Sequence, residues 1–104
     1  MAKYVMLAQS EPVEGREDEF NEWQENAHIK DVLALPGVTS AQRLEATPIM
    51  MGGNGRKYMT IYEIETDDPG AFMAEMGKKS HDGTFTRSDS LDPASAVLWV
   101  YRKI

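Results

Sequence analysis

The chain of 104 residues contains no cysteine. This absence excludes disulfides, thiolate nucleophiles and cysteine-ligated metals. Positive charge is also scarce: 17 Asp and Glu outnumber 11 Lys and Arg, and the net charge of -6 argues against nucleic acid or an anionic membrane surface as a partner. Neither a signal peptide nor an apolar run near the roughly 20 residues of a membrane span is visible. We therefore expect a cytoplasmic protein.

The residues that are present predict one compact domain over positions 1–104. A hydrophobic share of 41% is ordinary for a globular protein of this length. Short runs rich in β-branched and aromatic residues, bounded by turn-forming residues, predict four strands at 4–9, 38–47, 57–65 and 94–101. In the second of these, strict alternation would place Val38 on the same side as Ser40, Gln42 and Leu44.

Two helices are predicted between these strands. Acidic residues are dense from Arg16 onward, Phe20 and Trp23 recur at helical spacing, and the Pro-Gly pair at positions 36 and 37 ends the pattern. The second helix is predicted to begin with Asp67 or Asp68 as its cap and to end at Gly77. The segments 48–56 and 80–92 are predicted to be irregular.

The order strand, helix, strand, strand, helix, strand predicts an α+β, ferredoxin-like βαββαβ fold. Right-handed crossovers place both helices on one face of a four-stranded antiparallel sheet with the spatial order 4-1-3-2. The last strand carries Leu98 and Val100 on one side but Trp99 and Tyr101 on the other, so the face without helices is also apolar. Such a face predicts a two-fold homodimer whose sheets pack together, with a cavity shared with or bounded by the partner.

Several segments together resemble EthD-like proteins of the dimeric α+β barrel superfamily. They are the motif W-x4-H-x2-D-x-L-x-L-PG from Trp23 to Gly37, the strands VTSAQRLEA and KYMTIYEIE, the helix start DDPGAF and the ending LDPASAVLWVYRKI. One departure is Lys30, where related helices often place a proline. The resemblance implies a homodimer with a pocket between each sheet and its own helices or between the subunits. It also implies a small hydrophobic, aromatic or polyketide-like ligand and chemistry without a bound metal. Heme, which some branches of the superfamily bind, is an open alternative for which His28 and His81 are the available axial ligands.

His28 and Asp31 are the candidate catalytic residues. A histidine exchanges protons near neutral pH, and a carboxylate one helical turn away would orient or charge the imidazole. The pair predicts proton abstraction next to a carbonyl or a phenol, as a cyclase, isomerase, dehydratase or monooxygenase requires. The structural alternative is that His28 lies at the protein boundary with Asp31 as a solvated neighbour.

Four further residues are candidates for substrate binding: Trp23, Arg43, Tyr58 and Tyr62. Each has a structural alternative, namely a core or interface anchor for the tryptophan, an ion pair with Glu45 or a helix carboxylate for the arginine, and satisfied core hydroxyls for the tyrosines. His28 with His81 and Asp82 matches no recognised metal-site spacing, so no metal is expected. Met50 and Met51 at the tip of the 48–56 loop would either cover a ligand or form an irregular tip.

Two classes of function follow. The first is a cofactor-independent enzyme of a catabolic or biosynthetic pathway, with His28 as general acid or base. The second is a non-catalytic small-molecule-binding or accessory dimeric protein. The direction of His28 separates them: into a pocket with Asp31 within hydrogen-bond reach favours the enzyme, and outward into solvent favours the accessory protein.

Overall fold

A computed structural model describes residues 2–47, 49, 51–53 and 55–104. Its strands are β1 (Ala2–Ser10), β2 (Val38–Glu45), β3 (Tyr58–Thr66) and β4 (Val97–Arg102). Between β1 and β2 a helical arm, residues 17–33, consists of α1 (Glu17–Trp23), a π-helical turn (Gln24–His28) and α2 (Ile29–Leu33). Helix α3 (Pro69–His81) follows β3, and a 3-10 turn (Pro93–Ser95) precedes β4.

The four strands form one antiparallel sheet in the order β2-β3-β1-β4. This order confirms the predicted ferredoxin-like topology, read from the opposite edge. Strand β1 is central: Met6 pairs with Tyr62 of β3 on one side and with Val100 of β4 on the other. Within the described residues, no helix is long and apolar enough to cross a membrane.

The core lies between the helices and one face of the sheet. Alternate residues of β3, from Tyr58 through Thr60 and Tyr62 to Ile64, are buried and face the helices. The buried cluster consists of Met6, Val32, Leu35, Tyr62, Ile64, Phe72 and Phe85. This cluster draws on the two central strands β1 and β3, on both helical segments and on the loop after α3, so its burial holds these elements together.

The other face of the sheet carries no helix and is apolar, as predicted. Register pairs Leu7 with Trp99 and Ile61, and Leu44 with Met59, so apolar side chains from all four strands adjoin one another. Trp99 is 62% exposed and Tyr101 is 53% exposed. We call this surface the open face; its apolar members are Val5, Leu7, Leu44, Met59, Ile61, Val97, Trp99 and Tyr101.

One side-chain assignment in β2 was wrong. The pairing of β2 with β3 shifts register between Val38 and Ser40, so Val38 pairs with Ile64 while Ser40 pairs with Glu63. The irregularity moves Val38 to the helix side, where it packs against the core. Burial of an apolar residue at the strand entrance thus outweighs strict alternation.

The predicted end of the second helix was also wrong, although its start is confirmed. The Asp68 carboxylate accepts a hydrogen bond from the Ala71 backbone N–H at 3.0 Å, and Pro69 is the first residue of α3. The helix continues through Gly77 to His81. A helical glycine costs only about 1 kcal/mol, and Lys78 and Lys79 in the last turn complement the helix dipole.

Candidate functional site

A cavity of about 170 Å³ lies between the helical arm and the helix-facing side of the sheet. Its wall is mostly apolar, and polar groups enter it from the π-helical turn and from the middle of β3. The main lining residues are Met6, Ala8, Ser10, Gln24, His28, Val32, Thr60, Tyr62, Met76, Leu91 and Leu98. An apolar pocket with a few convergent polar groups is the usual form of a small-molecule site.

Three side chains of this wall carry a buried polar atom without a hydrogen-bond partner. These atoms are Gln24 Oε1, His28 Nδ1 and Tyr62 Oη, and Arg43 Nε is the only other such atom among the described residues. Leaving a buried polar group unpaired costs about 1–3 kcal/mol, so native proteins keep few of them. Three of the four such atoms among the described residues thus belong to side chains that line one cavity.

The π-helical turn brings two of these side chains to the cavity. Phe20, Gln24, His28 and Val32 are spaced four apart, and a spacing of four overshoots an α-helical turn by about 40°. The Ile29 N–H donates to the Gln24 carbonyl, five residues earlier, so this turn holds more residues than an α-helical turn. The wider turn offsets the 40° excess and keeps residues spaced by four on the same side of the helix. Gln24 and His28 therefore face the sheet along with buried Phe20 and Val32.

His28 is held between aromatic rings. Its imidazole stacks on the Trp23 indole with centroids 4.8 Å apart and planes at 26°, and the Phe85 ring lies perpendicular to it with centroids 6.1 Å apart. Burial lowers the pKa of His28, and the charge of Asp31 opposes this shift without cancelling it. At neutral pH the ring is therefore uncharged and able to accept a proton.

Asp31 does not form the predicted hydrogen-bonded pair with His28. Its carboxylate oxygen Oδ2 instead accepts a hydrogen bond from the Thr86 backbone N–H at 2.7 Å. Trp23 holds the same residue, because its indole Nε1–H donates to the Thr86 carbonyl at 2.9 Å. Asp31 and Trp23 thus fasten the loop after α3 to the helical arm, and Trp23 positions the His28 ring instead of lining the cavity.

Tyr62 reaches the cavity from β3. Burial raises the pKa of its phenol to about 12, with Thr60 and Arg43 acting in the opposite direction. The Thr60 side chain also lines the cavity, but no hydrogen bond joins it to the phenol. Tyr62 therefore stays protonated at physiological pH and is free to donate its proton in a hydrogen bond.

Arg43 and Tyr58 lie in a separate polar cluster beside a shallow pocket of about 330 Å³. Arg43 donates to the Asn21 side-chain oxygen at 2.8 Å and pairs with Glu25 at 3.4 Å. The Tyr58 hydroxyl donates to Glu17 at 2.7 Å, and the Arg43 guanidinium lies 5.2 Å from the Tyr58 ring centre. Both side chains are engaged in packing β2 and β3 against α1, away from the cavity that His28 lines.

Neither the surroundings of His81 nor a larger surface groove has the features of a functional site that this cavity has. No group of three or more potential metal-ligating His, Cys, Asp or Glu residues occurs in the part of the chain that the structure describes. A groove of about 580 Å³ runs beside Gly37, Asp68 and Phe72, but none of the unpaired buried polar atoms lines it. Met50 lies outside the described residues, and the neighbouring Met51 is fully exposed.

Fold and site together define the class: a ferredoxin-like α+β fold with a small cavity between the sheet and its own helices. Three solved structures share this fold. A candidate monooxygenase from Shewanella loihica PV-4 has a TM-score of 0.65 at 14% identity, covering 99% of this chain and 95% of that one. The heme degrader MhuD from Mycobacterium tuberculosis, solved with two hemes in its active site, has a TM-score of 0.65 at 19% identity, covering 97% and 95%.

The third structure is an EthD family protein from Bacillus halodurans C-125, with a TM-score of 0.55 at 14% identity and full coverage of both chains. The structural match to an EthD family protein agrees with the resemblance found in the sequence. No family model and no curated protein matches the chain. At these identities the likeness establishes the fold alone.

Sequence reasoning missed two residues of the site. Gln24 was passed over because it is polar, and Phe85 because its surroundings, residues 80–92, are polar and irregular. The series Phe20, Gln24, His28 and Val32 was the available signal for the first, since a spacing of four continues an apolar stripe. Phe85 is recognised as a site residue only through its contact with His28 in the structure.

Proposed function

We propose that this protein is an enzyme that transfers a proton to or from a small aromatic or other cyclic hydrophobic molecule, with His28 as the general base. The observation that carries the proposal is that uncharged His28 lines one apolar cavity together with Gln24 and Tyr62, each of which has a buried polar atom without a hydrogen-bond partner. A base that is uncharged at neutral pH and a hydroxyl that stays protonated form a complementary pair.

The cavity volume sets the size of the substrate. An engineered cavity of about 150 Å³ binds benzene, so about 170 Å³ accommodates one ring with small substituents. Heme, which one of the structural neighbours binds, does not fit, because a macrocycle of four pyrrole rings far exceeds this volume. The apolar wall favours the ring, and the polar atoms favour oxygen-bearing substituents.

The proton transfer itself uses two residues. His28 accepts a proton from a phenolic O–H, or from a C–H next to a carbonyl, and becomes an imidazolium. The electron pair stays on the substrate as a phenolate or enolate oxygen, to which Tyr62 donates a hydrogen bond in a cavity of low dielectric. Return of the proton to another substrate atom completes a tautomerisation or double-bond isomerisation, and Asp31 stabilises the transient imidazolium through its charge.

A non-catalytic binding protein is the second candidate function. It is favoured by the position of Asp31, whose carboxylate is engaged by Thr86, so that His28 lacks the hydrogen-bonded carboxylate typical of a strong histidine base. The same cavity would then hold the ligand without turnover.

We further propose that the protein is a homodimer formed through the open face. Trp99 and Tyr101 are more than half exposed there, and soluble monomers rarely leave so continuous an apolar surface uncovered. Two open faces related by a two-fold axis bury one another, as in the dimeric α+β barrel proteins whose fold this chain shares.

The test is a panel of phenols, lactones and cyclic ketones, scored by thermal shift and then by mass spectrometry and proton NMR for product. We expect at least one compound to raise the melting temperature of the wild type and to be converted. His28→Gln should bind the compound but lose conversion by about 100-fold or more. The control is His81→Gln, an exposed histidine at the end of α3 that should behave as wild type.

Three other outcomes count against the enzyme. Binding without conversion by the wild type would favour the non-catalytic protein. Equal conversion by wild type and His28→Gln would remove His28 from the mechanism. If no compound of single-ring size stabilises the wild type, the cavity is not a ligand site of this kind.

A further inference from the structure

We propose that Gln24 is a specificity-determining residue of this site: its side-chain carbonyl accepts a hydrogen bond from a second polar substituent of the substrate. The substrate class that follows is a single ring with two donor groups, such as a dihydroxybenzene. This inference rests on the proposed function, since it assumes that the cavity between the helical arm and the sheet binds a small ring.

Burial is the first argument. Gln24 is only 6% exposed, and its side chain makes no hydrogen bond with any residue that the structure describes. A buried amide left unpaired destabilises the folded state, and an apolar side chain of similar size would remove that cost. Gln24 therefore lowers the stability of the folded protein, which indicates that its amide forms a hydrogen bond with a bound ligand.

The backbone around Gln24 is the second argument. Gln24 begins the π-helical turn and His28 ends it, and the Gln24 carbonyl is held by the Ile29 N–H. Both side chains line the same cavity. Since π-helical turns are uncommon and concentrate at functional sites, a turn whose first and last side chains line one cavity is consistent with ligand binding.

The chemistry of the amide defines the substrate. In the structure the buried atom is Oε1, which accepts hydrogen bonds and does not donate them. His28 and Tyr62 are assigned to the oxygen or carbon that exchanges a proton, so Gln24 is left for another substituent. That substituent must carry a hydrogen, as a second hydroxyl or an amine does.

The experiment compares phenol with catechol, resorcinol and hydroquinone, using calorimetric binding to wild type, Gln24→Met and Gln24→Leu. Wild type should bind one dihydroxybenzene isomer about threefold to tenfold more tightly than phenol, the value of one additional hydrogen bond. Both variants should lose this preference while binding phenol as wild type does. Glu22→Met, at an exposed position of α1, is the control and should keep the preference.

The stability of the variants is the second readout. Without ligand, Gln24→Met should be as stable as wild type or more stable, because it removes an unpaired buried amide. A large loss of stability in both variants would show that Gln24 is structural and would overturn the proposal. So would retention of the dihydroxybenzene preference in either variant.

The two proposals fail in different ways. If wild type binds phenol but no dihydroxybenzene more tightly, the role of Gln24 is overturned while the proposed function stands. If wild type binds none of the four probes, the single-ring site itself is overturned, and the role of Gln24 with it.

Discussion

At the scale of the residue, the chemistry of His28 is set by its neighbours and not by its position in the chain. Trp23 covers one face of the imidazole, the Phe85 ring lies perpendicular to it, and no described residue hydrogen-bonds to its Nδ1. Each of these contacts removes water that would stabilise the charged form. The result is a histidine that stays uncharged at neutral pH, which is the state a general base requires.

This environment predicts a pH dependence of stability. The pKa of His28 is lowered from its ordinary value of 6.5 in the folded state, so below that pH the unfolded chain binds a proton that the folded chain resists. Above about pH 6.5, His28 is neutral in both states and the free energy of unfolding keeps its full value. As the pH falls from 6.5 toward the lower pKa of the folded state, the free energy of unfolding decreases. The slope is at most about 1.4 kcal/mol per pH unit.

The measurement is urea unfolding of wild type and His28→Gln between pH 7.5 and pH 5. Relative to wild type, His28→Gln should gain stability as pH falls, because it lacks the titrating ring. His81→Gln controls for removal of a histidine as such. Parallel pH profiles for wild type and His28→Gln would contradict the burial argument.

At the scale of the element, the junction between the helical arm and β2 depends on one glycine. Gly37 has φ +97°, and a Cβ placed there would lie 2.7 Å from the Glu65 backbone carbonyl oxygen. The Gly37 carbonyl in turn accepts a hydrogen bond from the Glu65 N–H at 2.8 Å. The sequence predicted a helix stop here, but not that the turn also packs directly against the end of β3.

Gly37→Ala should therefore be strongly destabilising. A left-handed backbone costs a residue with a Cβ about 1–2 kcal/mol, and displacing a rigid strand adds about 1–3 kcal/mol, so the free energy of unfolding should fall by roughly 2–5 kcal/mol. Gly15→Ala is the matched control, because Gly15 has φ +81° and no atom within 4 Å of its added Cβ. Chemical denaturation that shows equal losses for both variants would contradict the contact with Glu65.

At the scale of the whole molecule, the sheet has two different uses. Its helix-facing side encloses the cavity, while the open face leaves apolar side chains of all four strands uncovered. The open face bears on assembly, and the cavity bears on chemistry. A substitution on the open face should therefore change the oligomeric state without altering the cavity.

Trp99→Glu tests this separation. Two carboxylates would enter each dimer interface and two indoles would be lost, so the dimer should weaken by roughly 3–6 kcal/mol. Light scattering with size-exclusion chromatography should show a dimer for wild type and a folded monomer for the variant. Leu33→Glu is the control. Leu33 is also a half-exposed apolar residue, but it lies on α2 and not on the open face, so this variant should remain a dimer. A wild-type monomer, or a Trp99→Glu dimer, would contradict the sheet-to-sheet interface.

The sequence by itself determined the elements and their topology. Alternation in β3, the acidic start of α1, the Asp68 cap and the Pro-Gly stop are local signals, and the order of strands and helices leaves one simple right-handed arrangement. The two-sided apolar character of β4 was also readable, because it depends only on which residues alternate. His28 and Tyr62 were identified as candidates for the same reason: their chemistry is a property of the residue type.

Only the tertiary structure decided which polar residues meet. Asp31 bonds to Thr86, 55 positions later in the chain, and Phe85 reaches His28 from the same loop. The π-helical turn and the register shift at Val38 are likewise responses of the backbone to burial against the sheet. Burial and hydrogen bonding between distant segments are not encoded in local spacing, so Gln24 emerges as a site residue only once the helical arm is packed on β3.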